Sequence, residues 1–162
     1  MKITPTLKSG LVASAMISSL TLGATSPVMA ENEELIDAME GYVMFQEYHG
    51  ATIRPEQIPA DQWENITIVD TRDAGQYAED HIPGAINIEW RQILERRDEL
   101  PTDEQVLVYC NTGTLSAQAG LMLRLAGMNN VRILQGGFTG FKEAGGFEAN
   151  ARAEKEAEDA GE

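Results

Sequence analysis

The sequence predicts an α/β fold built on an open sheet of about five mainly parallel strands, with helices on both faces. Three observations favour this fold. Short β-branched runs recur along the chain, they alternate with helical segments, and glycine or polar residues follow them. Strands that alternate with helices pair in parallel through right-handed crossovers, which covers both faces of the sheet. A chain of 162 residues suits one such domain.

The elements are predicted in a regular order. A short edge strand at Ile53 precedes a proline-started turn and a brief helix, and Ile66 to Val69 forms an interior strand. After it come a helical segment at 74–80, a strand at 85–88, a charged helix at 89–99, a strand at 106–109, a helix at 116–126, a strand at 131–134 and a helix at 138–144. Glycines at 127, 136 and 137 mark the turns between the last elements.

The first thirty residues have the pattern of a bacterial secretory signal peptide. Two lysines precede an uncharged apolar run from Leu11 to Leu22, and small residues at 28–30 offer a cleavage site after Ala30. The run is too short and too rich in serine to suit a transmembrane helix, and an uncleaved signal anchor is the alternative. We therefore expect an exported, periplasmic protein whose mature chain begins at Glu31.

The mature chain is predicted to have three parts. Residues 31–50 form a helical extension, 51–147 form the domain, and 148–162 form an acidic tail without an apolar face, which predicts disorder, with a frayed helix as the alternative. We interpret the apolar stripe of the extension as the face that packs against the domain, and a surface for a partner or a second copy is the alternative. The stripe consists of Leu35, Ile36, Met39, Val43 and Met44.

Charge and cysteine content narrow the function. The full chain has a formal charge of −14, and removal of Lys2 and Lys8 with the signal would leave ten basic against 26 acidic residues, a charge of −16. This charge argues against nucleic-acid binding and against stable association with an anionic membrane. Cys110 is the single cysteine, so it cannot form an intramolecular disulfide. In an oxidising compartment such a thiol is either buried and inert or retained for chemistry.

Cys110 opens the loop that follows the strand at 106–109, at the edge of the sheet where open α/β folds form their sites. The next helix directs its free backbone N–H groups and positive dipole end at this loop, which favours thiolate over thiol. Gly113 permits a tight turn, and hydroxyls at 112, 114 and 116 add donors, with Ser116 placed to cap the helix. We predict a small anion-binding site around the sulfur; the alternative is a core cysteine beside a turn.

Three motifs occur in order between about residue 54 and residue 147. The first is Ile68-Val69-Asp70-Thr71-Arg72 with His81-Ile82-Pro83-Gly84-Ala85-Ile86-Asn87-Ile88. The second is Tyr109-Cys110-Asn111-Thr112-Gly113 with Ser116-Ala117, and the third is Leu134-Gln135-Gly136-Gly137-Phe138 with Phe141-Lys142. Together they resemble a single-domain rhodanese in an exported form. The resemblance implies a rhodanese-like open sheet and a sulfurtransferase. In that reaction a cysteine persulfide carries sulfur from thiosulfate or a persulfide to a thiophilic acceptor such as cyanide or a thiol.

The resemblance also implies roles for particular residues. Cys110 is the nucleophile, and Asp70 and Arg72 support the loop or the pocket, for which a strand-end cap and a surface ion pair are the alternative. The residues that bind the donor are Asn111, Thr112, Gly113, Thr114, Leu115 and Ser116. No metal, nucleotide or other cofactor is required. The expected partners are a small sulfur-containing donor and a thiol or cyanide acceptor, with a protein partner as a further option.

The loop departs from the family pattern at two positions. Family loops often carry arginine where this chain has Asn111 and Leu115, so both charges that would bind an anionic donor are missing. Leu115 indicates an organic or protein persulfide instead. The alternative function is therefore a periplasmic persulfide-carrier or redox-relay module that acts with a protein partner. A related phosphatase or arsenate reductase loop would need arginine at the position of Ser116, which argues against that class.

Overall fold

The computed structural model describes residues 33–48 and 50–161, and the predicted signal peptide and His49 lie outside this part of the chain. The predicted α/β fold is confirmed. Five strands form one sheet in the order β1-β5-β4-β2-β3, and all neighbouring strands are parallel. The strands are β1 Thr52–Ile53, β2 Ile66–Asp70, β3 Ile86–Asn87, β4 Gln105–Tyr109 and β5 Val131–Leu134.

Helices and 3₁₀ turns connect these strands. The α-helices of the described residues are α1 Glu33–Met44, α2 Ala74–Glu79, α3 Thr114–Leu125, α4 Gly137–Ala144 and α5 Ala149–Ala160. The 3₁₀ turns are Pro55–Gln57, Ala60–Asn65, Trp90–Gln92, Arg97–Glu99 and Gly146–Glu148. None of the helices in the described ranges combines the length and the apolar character needed to cross a membrane.

β4 lies at the centre of the sheet and is buried on both faces. Its side chains alternate, as in any strand, between two apolar cores. Val106 and Val108 belong to the core beneath α3, and Leu107 and Tyr109 belong to the core beneath α4. Each such side chain contributes about 1.5–3 kcal/mol when it leaves water. The carboxyl end of β4, where Cys110 follows, is therefore held by packing on both faces of the sheet.

The prediction of one charged helix at 89–99 is wrong. The structure has two separate 3₁₀ turns in this segment, at Trp90–Gln92 and Arg97–Glu99. Ile93 is fully buried, whereas Leu94 next to it is largely exposed. A single buried position does not provide the apolar stripe that stabilises an α-helix against a domain.

The predicted disorder of the acidic tail does not hold at 149–160, where the structure has α5. Ala149 is buried, and the Asn150 side-chain amide donates a hydrogen bond to the Glu56 backbone oxygen at 2.9 Å. Alanine, glutamate, lysine and arginine, which dominate this segment, have high helix propensity. Attachment of the first turn supplies the nucleus that an isolated helix of this length lacks.

The expectation that the apolar stripe of the N-terminal helix packs against the domain is also wrong. α1 has no buried residue, and its apolar side chains are exposed, from 41% for Ile36 to 81% for Met44. Polar groups make the contact with α3 instead, because the Arg124 guanidinium donates to the Tyr42 hydroxyl at 2.9 Å and to the Gln46 side-chain oxygen.

Candidate active site

Cys110 follows β4 directly, and its side chain is almost completely buried. The sulfur atom accepts a hydrogen bond from the Gly113 backbone N–H at 3.2 Å. The Ser116 hydroxyl lies 3.6 Å from the same sulfur. The loop therefore folds back over its own first residue, and it points donors at the sulfur from two positions.

The helix that follows the loop begins at Thr114, two residues earlier than predicted. Gly113, with φ of +107°, is the N-cap of α3, so the prediction that Ser116 caps this helix is wrong. A left-handed conformation of this kind strongly favours glycine. Ser116 lies inside the first turn, fully buried, and its hydroxyl is also 3.1 Å from the Gly113 backbone oxygen. Since a hydroxyl has one proton, it can turn from that oxygen to the sulfur when the sulfur becomes anionic.

The environment of the sulfur favours its ionised form. Burial opposes ionisation, but donors outweigh it: the backbone N–H and hydroxyl of Ser116 and the backbone N–H groups of Thr112 and Gly113. The pKa of the Cys110 thiol is consequently lowered from its ordinary value. A thiolate is the nucleophilic form of cysteine, so the geometry can support attack on a sulfur donor.

The rest of the loop forms an uncharged rim. The side chains of Asn111, Thr112 and Thr114 are exposed, whereas that of Leu115 is half-buried. The loop therefore offers backbone N–H groups inward, amide and hydroxyl groups outward, and one apolar group. Their assignment as donor-binding residues stays a prediction.

The start of α4 holds the loop from the other side. The Phe138 and Thr139 backbone N–H groups donate to the backbone oxygens of Cys110 and Asn111, at 2.8 and 3.0 Å. A β-carbon at Gly137 would lie 2.4 Å from the Cys110 backbone oxygen, and this residue has φ of +58°. Glycine is therefore needed at this position, because any side chain would push α4 away from the cysteine loop.

Asp70 and Arg72 form a buried ion pair at the carboxyl end of β2. The Arg72 guanidinium donates to both Asp70 carboxylate oxygens, with a shortest distance of 2.6 Å, and the Asp70 carboxylate also accepts from the Arg72 backbone N–H. The hydrogen bond to Asp70 raises the pKa of the Arg72 guanidinium, although desolvation opposes this. The guanidinium is thus a fixed cation with little freedom to bind a substrate.

Arg72 also contacts the cysteine loop. One guanidinium nitrogen lies 3.2 Å from the Asn111 side-chain oxygen, and another donates to the Asp80 backbone oxygen at 2.7 Å. The guanidinium carbon lies 4.7 Å from the centre of the Phe138 ring, a cation–π distance. The structure therefore brings the predicted pair together with Asn111, and the supporting role of the pair stays a prediction that this geometry favours.

Sequence reasoning missed several residues that shape this edge. The sequence pattern indicates a turn at Gly137 and a helix start at Phe138, but it does not indicate their contact with the cysteine loop. The Gly-Gly pair before an aromatic residue is the signal that this backbone could approach another one closely. Tyr109 was assigned only to a strand, yet its fully buried hydroxyl accepts the Ile82 backbone N–H at 3.0 Å. Burial raises the pKa of this phenol. The hydrogen bond from the Arg72 guanidinium to the Asp80 backbone oxygen has no signal in the spacing of residues along the chain.

The described residues contain no candidate metal site. Within residues 33–48 and 50–161, no three His, Cys, Asp or Glu side chains form a group that could hold a metal ion. The expectation that the chemistry needs no cofactor stays a prediction.

Comparison with known proteins gives a consistent result. The family model for the rhodanese-like domain matches residues 56–144. The thiosulfate sulfurtransferase GlpE of Pseudomonas entomophila is 35% identical over 86 residues, which cover 53% of this chain and 79% of that protein. A sulfurtransferase of Allochromatium vinosum is 33% identical over 82 residues, which cover 51% of this chain and 77% of that protein.

A solved structure shares the same fold. The rhodanese-related protein of Thermoplasma volcanium superimposes with a TM-score of 0.55 and 25% sequence identity, over 59% of this chain and 94% of that one. Its match spans nearly the whole of a small protein, which agrees with a single domain of this type. With a family model that covers more than half of its residues, this chain belongs to the rhodanese family.

Proposed function

We propose that this protein transfers sulfane sulfur through a persulfide on Cys110. In the first step the thiolate attacks the outer sulfur of the donor, a new S–S bond forms, and the S–S bond of the donor breaks to release a thiolate or sulfite. In the second step an acceptor thiol or cyanide attacks the outer sulfur, and Cys110 leaves as a thiolate. The two steps balance without an external oxidant or reductant.

The observation that carries this proposal is the set of donors around the sulfur. The Gly113 N–H at 3.2 Å and the Ser116 hydroxyl at 3.6 Å favour the thiolate that attacks in the first step. The same thiolate is the leaving group of the second step. Stabilising it therefore assists both halves of the cycle, and a buried cysteine with no reactive role would not need these donors.

The charges near the loop favour an organic persulfide over thiosulfate as the donor. Thiosulfate is a dianion, and the loop side chains from Asn111 to Leu115 carry no charge. Arg72 and Lys142, which both lie over the Phe138 ring, already face carboxylates, since Arg72 pairs with Asp70 and the Lys142 ammonium lies 3.4 Å from Asp80. The net charge of −14 further disfavours the approach of an anion.

The second candidate is a persulfide carrier that loads and unloads through a protein partner with slow turnover of small molecules. The observation that favours it is Leu115, a half-buried apolar residue in the first turn of α3, directly after the Cys110 loop. An apolar residue in the position that follows this loop suits contact with another protein or an organic donor better than contact with a small anion.

Two measurements separate these functions. Intact mass of the full chain after incubation with a donor reports whether one sulfur atom is added to Cys110, and thiocyanate formation from the donor and cyanide reports turnover. Loading with rapid turnover, both lost in Cys110→Ser, supports the sulfurtransferase. Loading without turnover supports the carrier, and the absence of loading with thiosulfate and with an organic persulfide would reject both.

We also propose that the protein is exported to the periplasm, as the pattern of residues 1–30 predicts. N-terminal sequencing of the chain recovered from the periplasmic fraction tests this. A chain that begins at Glu31 supports export with cleavage after Ala30. A chain that keeps Met1 in the cytosolic fraction contradicts it.

A further inference from the structure

α1 differs from an ordinary surface helix because none of its apolar residues is buried. A helix on a globular domain normally turns its apolar residues inward and its polar residues to solvent. Here Tyr42 of α1 and Gln46, two residues beyond the helix, contact the domain through Arg124, while Ile36 and Val43 are exposed. The face that an amphipathic helix normally buries is therefore presented outward.

Arg124 fixes this orientation. It is almost completely buried, and its third hydrogen bond runs to the Val131 backbone oxygen on β5 at 2.9 Å. Its guanidinium carbon also lies 5.7 Å from the centre of the Tyr42 ring. One buried side chain thus connects α1 to both α3 and the sheet, and the rotation of α1 about its own axis is set by directional contacts.

The exposed face combines apolar side chains with a row of carboxylates. We call its apolar part the α1 apolar surface, which consists of Ile36, Met39, Val43 and Met44. An open depression of about 450 Å³ is lined by Met39, Glu40, Val43 and Met44. Glu33 and Glu40 stand three or four positions from members of this surface, and Asp37 stands seven positions before Met44, so all three carboxylates lie along the same side of the helix as these apolar residues. Residues 33–48 include five acidic residues and no lysine or arginine.

We propose that the α1 apolar surface is the docking site for a cationic amphipathic segment of another protein. Contiguous exposed apolar residues mark interaction sites, and methionines adapt to varied partners. The carboxylates select the charge of the partner. A second copy of this chain would bring two acidic rows together, and an anionic membrane surface would be repelled, whereas lysine or arginine residues flanking an apolar stripe would match both features.

The docking site is separate from the persulfide site. Eight positions of α3 separate Ser116, which faces the sulfur, from Arg124, which holds α1. At 1.5 Å per residue this separation is about 12 Å along the helix. A partner on α1 would therefore bind beside the domain and leave the cysteine loop open, so this proposal does not depend on the proposed function.

A designed peptide tests the proposal. The probe is a fluorescent peptide of about 18 residues, made of leucine and lysine with the leucines on one helical face, and the control peptide has the same composition in scrambled order. With the full chain at physiological salt, we expect the amphipathic peptide to bind at least about ten-fold more tightly than the scrambled one. Ile36→Ser combined with Val43→Ser should remove about ten-fold of that affinity.

Matched variants make the result specific. Leu94, whose exposure of 39% is close to the 41% of Ile36, lies in a different segment, so Leu94→Ser should bind as the wild type does. Replacing Glu33, Asp37 and Glu40 by glutamine should weaken binding and reduce its dependence on salt. Far-UV circular dichroism and the melting temperature show whether each variant remains folded.

Several outcomes would overturn the proposal. Equal affinity for the scrambled peptide would show that charge alone is responsible, and no binding by the full chain would show that the surface is covered. A dimer in sedimentation that Ile36→Ser with Val43→Ser dissociates would identify a second copy as the occupant. Binding to vesicles of phosphatidylglycerol that the same double variant abolishes would identify a membrane.

Discussion

Ser116 is the clearest test of how the loop controls its cysteine. In Ser116→Ala the backbone N–H remains while the hydroxyl 3.6 Å from the sulfur is removed. A hydrogen bond to a charged group contributes about 1.5–3 kcal/mol, and a long one to sulfur about 1 kcal/mol. Since 1.4 kcal/mol corresponds to a factor of ten, the ionisation equilibrium of the thiol should change about five-fold.

The direction of this change follows from the lowered pKa of Cys110. The wild type should form thiolate at a lower pH than an ordinary cysteine does, and the substitution should raise the pKa again. Ultraviolet absorbance of the thiolate against pH measures this directly, because the chain has a single cysteine. Alkylation by iodoacetamide below the midpoint should slow about five-fold, as the thiolate fraction does.

Thr112→Ala is the matched control for this experiment. Its exposed hydroxyl is lost, but the backbone N–H that points to the sulfur stays. We expect its titration midpoint to equal that of the wild type. If Ser116→Ala also titrates like the wild type while its melting temperature is unchanged, the hydroxyl does not stabilise the thiolate and the reasoning is refuted.

Three further substitutions test the surroundings of the loop. Gly137→Ala should lower the free energy of unfolding by about 3 kcal/mol or more in urea titrations, because its β-carbon overlaps the loop backbone. Gly127→Ala has open space around its β-carbon, so only backbone strain should lower its free energy of unfolding, by about 1–2 kcal/mol. Asp70→Asn should cost about 3 kcal/mol in the same titration, since it leaves the buried Arg72 without its carboxylate. Leu115→Arg should speed persulfide formation from thiosulfate about ten-fold relative to an organic persulfide, measured by intact mass, because it places a cation near a dianion.

Contrary results would be equally informative. Equal losses in the two glycine variants would show that α4 can move without affecting the loop. An unchanged stability of Asp70→Asn would remove the ion pair as a support. Thiosulfate loading of the wild type as fast as that of the arginine variant would show that the donor is not selected by charge at this position.

The central sheet and the position of the cysteine could be predicted from local sequence signals. The β-branched runs at β2, β4 and β5 are mostly buried and mostly apolar, with Thr67 and Arg132 as partly buried exceptions, so they are easily recognised. Cys110 directly follows the central strand, and the topology alone places it at the carboxyl edge. The strands and the position of Cys110 depend on residues that are neighbours in the sequence, so they can be predicted from the sequence.

The supports of the loop could not be predicted in the same way. Arg72 contacts Asn111, which lies 39 positions away, and Phe138 meets the Cys110 backbone oxygen only because α4 begins beside β4. Such contacts depend on how elements pack, and no periodicity in the chain records them. The cap of α3 was missed for a simpler reason: Gly113 in a left-handed conformation starts the helix without a side-chain donor or acceptor.

The terminal helices were misjudged for opposite reasons. The stripe on α1 has ideal helical spacing, but spacing does not say whether the domain or something else covers it. α5 lacks an apolar stripe, yet Ala149 and Asn150 attach its first turn to the domain. The high helix propensity of the remaining residues then extends the helix. In both cases the deciding interaction is made by one or two polar or small residues.

The intact mass of the full chain after incubation with an organic persulfide tests the central claim most directly. The account predicts a gain of one sulfur atom on the wild type, its removal by an added thiol or cyanide, and no gain in Cys110→Ser. A wild-type chain that gains no sulfur from any donor, or a Cys110→Ser chain that gains it equally, would contradict the account.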